Sequence, residues 1–338
     1  MEWSKQDMSH SFRVTILVAL LLATSAARPA PAAEKLVGLY SAQVMAQSMP
    51  WIAQEANLFP KYNLDFQLVF IAASPMATAA IVSDNAEVIL TGGVGIARAF
   101  VQGNTDLAFI AGVKNVMTQS IVAGPAIKRP EDLRGKKVGV SRIGGNTHYF
   151  TIQIARRHGL EPGRDFTFIQ TGGDPEALAA LLSGQIDAAT LTPPSDAMAL
   201  AQGQHYVVYG PDLKIPYAAT IFVAKRSTMD RRPQAVRSFV RAMAEASKIL
   251  HTDRDFMYRL LAKKLRVTDK RILDASYNAE IKALEPRLAI RSESIQAMLE
   301  DVAQTDPRAK KVKAQEMIDT RYLDEMEKTG FFDQLWKK

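Results

Sequence analysis

Short apolar runs alternate with helical periodicities from residue 36 to about residue 225, and beyond Lys225 the short runs stop. Residues 36–40 (LVGLY) form a predicted strand, followed by the polar loop 41–43 and a helix over about 45–57 that carries Trp51 and Ile52. Residues 64–70 (LDFQLVF) read as a second strand. Ser74 then caps a helix with Pro75 in its first turn. A third strand, 87–90, ends at Thr91-Gly92-Gly93, a helix runs to Gln102, and 107–112 is the next strand. Residues 118–123 (TQSIVA) add another, broken by Gly124-Pro125.

The alternation then repeats. Val138-Gly139-Val140 is a strand, 141–145 is a glycine-bearing loop, and Asn146 or Thr147 caps a helix that stops at Gly159. Strands over 166–170, 186–190, 206–209 and 220–224 are spaced by helices over 177–182 and from Thr192-Pro193-Pro194-Ser195 to about Gln202. Strictly alternating elements argue for an α/β fold with largely parallel sheets. Residues 233–337 are different: Phe239, Met243, Ala246 and Leu250, then Phe256, Leu260 and Leu261, then Ile295, Met298 and Leu299 recur at helical spacing. This C-terminal third reads as helical, with no chemistry of its own.

Composition narrows the class. A chain of 338 residues with 47% hydrophobic and 23% charged residues affords two domains and a sizeable core. There is no cysteine, which excludes disulfides, thiolate metal sites and a cysteine nucleophile. At the N-terminus, Lys5 and Arg13 precede the apolar run 14–23 (VTILVALLLA), and small residues from Ser25 to Ala33 follow. That is the pattern of a cleaved secretory signal over 1–33, with cleavage expected between Ala26 and Ala33 and a periplasmic destination. The net charge of +7 is spread out, apart from a cluster around Lys310, Lys311 and Lys313. No basic stripe interleaves with aromatics, so nucleic acid is not an expected partner.

Candidate chemistry sits at the strand ends. The loop 141–147 feeds a helix whose N-terminal N–H groups and partial positive charge suit an anion or a strong hydrogen-bond acceptor. By itself it is also an ordinary strand-to-helix turn. There is no HExxH, no Gly-x-Ser-x-Gly, and no dinucleotide fingerprint around Gly92-Gly93-Val94-Gly95. No metal or cofactor is expected.

The order of elements resembles the periplasmic substrate-binding proteins of ABC importers, closest to the nitrate, taurine and alkanesulfonate group and to the related domain of thiamine-pyrimidine synthases. The resemblance rests on the helix Pro50-Trp-Ile-Ala-Gln-Glu-Ala-Asn-Leu-Phe59, the Gly92/Gly93 turn, the stretch Pro130-Glu-Asp-Leu-Arg-Gly-Lys-Lys-Val-Gly139 with the following 141–147 loop, and Gly184-Gln-Ile-Asp-Ala188. It covers residues 34–225 well, and the tail only in type.

It implies a two-lobed type II periplasmic binding fold with a helical C-terminal tail. Lobe 1 would be 34–120, lobe 2 121–221, and 222–338 would return to lobe 1, with strands crossing near 118–123 and 220–224. The ligand would sit between lobes that close by hinge motion. The strand-end loops independently nominate Ser41, Gln43, Thr91, Gly92, Ser141, Gly145, Asn146, Thr147, His148, Thr192 and Pro193. Their hydroxyls read equally as caps and turn formers. His148 reads first as a packing residue, Asp174 as a helix cap whose carboxylate would repel an anion, and Asp187 as structural. The expected function is capture of a small, anionic solute by a monomer that delivers it to a permease and its ATPase, without catalysis. A neutral pyrimidine or thiamine precursor stacked on Trp51, Tyr149 or Tyr217 is the alternative. A synthase-like enzyme is disfavoured, because those enzymes use a cysteine-rich motif.

Overall fold

The computed structural model describes residues 32–337. The expected export signal therefore lies, apart from Ala32 and Ala33, outside the described residues. Glu34 onward forms one compact unit.

In chain order the elements are β1 (Glu34–Tyr40), α1 (Met49–Glu55), α2 (Leu58–Lys61), β2 (Leu64–Phe70), α3 (Ser74–Val82), β3 (Val88–Thr91), α4 (Gly93–Val101), β4 (Leu107–Val116), β5 (Ser120–Ala123), β6 (Lys137–Val140), α5 (Asn146–Arg157), β7 (Thr167–Gln170), α6 (Asp174–Leu182), β8 (Ala188–Leu191), α7 (Ser195–Ala201), β9 (His205–Val208) and β10 (Pro216–Lys225). The tail follows as α8 (Arg226–Arg231), α9 (Pro233–Thr252), α10 (Arg254–Leu265), α11 (Lys270–Ile281), α12 (Ser292–Val302), α13 (Arg321–Lys328) and α14 (Phe331–Trp336). The single helix expected over 45–57 is divided into a 3₁₀ turn, α1 and α2. Pro50 suits the first turn of α1, and Asn57 takes a left-handed φ of 52° that ends it.

Two five-stranded sheets result, ordered β2-β1-β3-β10-β4 and β7-β6-β8-β5-β9. The chain passes from the first to the second between Val116 and Ser120, and returns between Val208 and Pro216. The sheets are mixed rather than largely parallel. β1 pairs in parallel with β2 and β3, and β6 with β7 and β8, as βαβ crossovers require. β10 and β5, however, run antiparallel to both neighbours. Each arrives from the other lobe and so enters its sheet from the opposite end, a direction that local alternation does not encode.

One face of the first sheet is covered by α1, α2 and the long α9. Phe239 of α9 is fully buried, with its ring 5.1 Å from Phe66 and 5.4 Å from Phe222. Among the described residues, no helix is long and apolar enough to cross a membrane.

Candidate functional site

The carboxyl ends of the parallel strands of both sheets open toward one another, and between them lies a cavity of about 90 Å³. That is room for roughly six to nine water-sized groups. The first sheet contributes Ser41, Ala42 and Gln43 after β1, Phe70 at the end of β2 with Ala72, Ala73 and Ser74 after it, and Lys114 and Thr220 from the paired strands β4 and β10. The second contributes Ser141, Asn146 and Thr147 after β6, Gly172 to Glu176 after β7, and Thr192 after β8; Gln119, in the crossing segment, completes the wall. Helices α3, α5 and α6 therefore all present their N-terminal turns here, with the partial positive charge such turns carry.

The polar lining is held in place by its own hydrogen bonds. Gln47 Oε1 accepts from the N–H of Ser41 (2.7 Å) and of Ala42 (3.0 Å), and its Nε2 donates to Ser41 Oγ. Thr147 Oγ1 accepts from Ser141 N–H at 2.9 Å and lies 2.9 Å from Ser141 Oγ. Ala73 carries the chain into α3 at φ 73°, ψ 141°, a region costly for any residue with a Cβ.

Asn146 joins the lobes. Its Nδ2 donates to the carbonyl of Ala219 on β10 at 2.7 Å, and its Oδ1 accepts from Tyr217 Oη at 3.3 Å. A Cβ at Gly92 would stand 1.9 Å from that Oδ1, so only glycine at 92 lets the first turn of α5 seat against the β3 end.

The charged lining consists of Lys114, Asp174 and Glu176. Lys114 is 1% exposed. Its ammonium donates to Glu280 Oε2 of α11 at 2.8 Å and to Thr118 Oγ1 at 2.6 Å. Thr118 in turn donates to Glu280. Asp174 is buried, and its Oδ1 accepts from Thr192 N–H at 2.6 Å. Burial pushes its carboxyl up to about 6, moderated by the Thr192 hydrogen bonds and by Lys114. Behind it, burial raises Asp196 to about 7, although Ala197 N–H and Tyr206 Oη donate to it.

Of the residues nominated from sequence, Ser41, Gln43, Ser141, Asn146, Thr147 and Thr192 line this cavity. Thr91, Gly92, Gly145, His148 and Pro193 do not. Thr91 is buried beneath it, and Gly92 serves the seating of Asn146. The His148 ring packs 4.5 Å from Phe168, and its Nδ1 accepts from Gly144 N–H. Burial, with Arg98 nearby, lowers it to about 4, so the imidazole is neutral. The rings expected to stack on a heterocycle are elsewhere. Trp51 is buried edge-on to Tyr40, Tyr149 and Tyr217 pack on each other, and among the described residues the only ring in the lining is Phe70.

Lys114, Gln119 and Asp174 were not nominated. A lysine within the apolar run LAFIAGVKNV was the available signal, since a charge inside a strand buried on both faces needs a partner or a task. Among the described residues no group of three or more His, Asp or Glu side chains is arranged to hold a metal ion.

A model of the NMT1/THI5-like family matches residues 48–255. The taurine-binding periplasmic protein of Escherichia coli K12 is 25% identical over 208 residues, 58% of this chain and 61% of that protein. The chain thus matches less than two-thirds of the length of this curated relative. Among solved structures, the alkanesulfonate-binding protein of Xanthomonas axonopodis pv. citri, bound to MOPS, superimposes with a TM-score of 0.71 at 19% identity, covering 87% of this chain and 100% of that one. A desulfurization enzyme shares the fold at TM-score 0.66 and 14% identity, covering 88% and 99%. The fold is the two-lobed periplasmic binding fold, and the chain belongs to the NMT1/THI5-like family.

Proposed function

We propose, from that membership, that the protein is the extracytoplasmic solute-binding component of an ABC importer of the sulfonate, taurine and nitrate type. It captures a small solute between its lobes and presents the closed form to a permease and its ATPase. The observation that carries this reading is the small cavity walled by loops of both sheets, with three helix N-termini turned toward it. The hydroxyls of Ser41, Ser141 and Thr147 and the N-terminal turns of α3 and α5 suit the oxygens of a sulfonate or carboxylate, whose charge-assisted hydrogen bonds are the strong ones. The ligands for which the taurine- and alkanesulfonate-binding relatives are named point the same way.

A flat pyrimidine has less support, because among the described residues Phe70 is the one ring in the lining that could stack on it. Catalysis has little: the chain holds no cysteine, and the cavity's lysine is paired.

The test is a thermal-shift series on the purified protein with taurine, alkanesulfonates, nitrate, bicarbonate, aromatic carboxylates and thiamine precursors. A ligand at a hundred times its Kd stabilises by about 2.7 kcal/mol. A shift abolished by Thr147→Trp supports the reading. No shift with any member sinks it.

A further inference from the structure

Lobe 2 also meets the tail along a second seam. Helix α7 packs against α11, and Met198 of α7 rests on the core cluster of lobe 1. α11 is itself fastened to lobe 1 and to the first crossing segment. Glu280, in its last turn, is fully buried and holds Lys114 of β4 at 2.8 Å together with Thr118. A hinge motion about the crossing segments would therefore part α7 from α11.

The charges across this seam do not balance. Asp196, in the first turn of α7, is 1% exposed. Its Oδ1 accepts from Ala197 N–H at 2.7 Å and its Oδ2 from Tyr206 Oη at 3.0 Å, both neutral donors. Among the described residues no cation pairs with it, and the nearby ammonium, Lys114, is committed to Glu280. The groups that face it are Tyr206 and Tyr209 from β9 and the segment after it, Glu280 from α11, and Asp174 from α6 with Glu176 beyond. β5 brings no titratable group. Asp269 and Arg271, at the outer end of the cleft between α7 and α11, pair with each other. Burial first, then Glu280 and Asp174, push the Asp196 carboxyl up to about 7, against its two hydrogen bonds. Burial and the approach of Glu280 both depend on the seam being shut.

We propose that closing the lobes takes up a proton at Asp196, so that acid favours the closed form and alkali the open one. With the seam open, water reaches the carboxylate, Glu280 withdraws, and Asp196 titrates nearer its ordinary value of about 4. Between the open and closed values closure binds a proton, and falling pH draws the equilibrium toward it. The latch acts on the lobes themselves, goes beyond solute capture, and does not depend on which solute is held.

The experiment is small-angle X-ray scattering of the purified protein, with no solute added, from about pH 8.5 to about pH 5. The radius of gyration falls as pH falls. In Asp196→Asn, whose charge cannot change, the radius is level across the range. Tyr206→Phe removes a donor that favours the charged form, and the midpoint of the fall moves to higher pH. A merely structural Asp196 leaves that midpoint where it was. A wild-type radius that is level or grows toward acid, a fall that persists in Asp196→Asn, or a midpoint indifferent to Tyr206→Phe overturns the latch. Each of these leaves solute capture standing, because that reading is tested with ligands and this one without.

Discussion

The two sheets have the same wiring and unequal support. In each, two parallel crossovers build the first three strands, and the strand arriving from the other lobe takes the fourth place. Lobe 1 adds to this plan much of the packing of the helical tail. The cluster between its sheet and α1, α2 and α9 holds Phe59, Phe66, Phe222 and Phe239 and extends through α10 and α11. The face of the second sheet beneath α6 and α7 holds eight buried side chains, four of them alanine or valine: Val122, Ala177, Leu178, Leu181, Ile186, Ala189, Leu191 and Ala199. Lobe 2 nonetheless carries the Ser141–Thr147 turn, the Gly172–Glu176 turn and Thr192. Bulk and charge are therefore divided: the heavier lobe is the anchor and supplies the cavity's lysine, and the lighter one supplies its two carboxylates, Asp174 and Glu176.

The strongest test of that division is a pair of truncations. Phe239→Ala should cost about 3–5 kcal/mol and lower the melting of the whole protein. Leu181→Ala should cost about 2–4 kcal/mol, and in hydrogen exchange its effect should concentrate in β6 to β9. Equal spreading of both effects over the two lobes would erase the distinction.

Acidity should act on lobe 2 first, because both strongly raised carboxyls are there. Asp174, facing Lys114 and Glu176, sits at about 6. Asp196, facing Tyr206 and Glu280, sits at about 7. A carboxyl raised in the folded state contributes stability that is fully present below its ordinary value near 4 and is lost as pH rises through the raised one. The melting temperature should therefore climb as pH falls from about 8 to about 5, and Asp196→Asn should flatten most of that climb. A melting temperature that is level or falling over this range contradicts it.

The seam between lobes responds to a smaller change. Gly92→Ala puts a methyl group into Asn146, disturbs the contact that joins the lobes and should weaken ligand binding about tenfold or more. Smallest is Ala73→Gly, which removes a Cβ from a φ of 73° and should stabilise lobe 1 by about 1 kcal/mol in urea titrations.

Much of this was legible in the chain because it is written locally. Strand runs, helix caps and the tail's periodicity need only neighbours within a few residues, and so do the polar turns that supply Ser41, Ser141, Asn146, Thr147 and Thr192. What stayed hidden is non-local. The antiparallel setting of β5 and β10 depends on where the chain has been. Lys114 reaches the cavity from β4 and Gln119 from the crossing segment that follows, and Asp174 looked like a cap because it opens α6, although its carboxylate turns to Thr192 N–H instead. Trp51, Tyr149 and Tyr217 looked like stacking platforms until the tertiary fold closed other groups over them.

The placement of β10 has a consequence for how the molecule is made. β3 and β4 are both in place early in the chain, yet the strand that lies between them is read out only after the entire second lobe. During synthesis the first sheet therefore waits with two unpaired edges facing a gap, the arrangement most open to wrong partners. Its completion needs contacts across more than a hundred residues, which makes assembly slow and late. A chain wired this way leaves its first sheet unfinished until β10 is available, and a nascent fragment ending before Pro216 holds every strand of the second sheet but cannot complete the first.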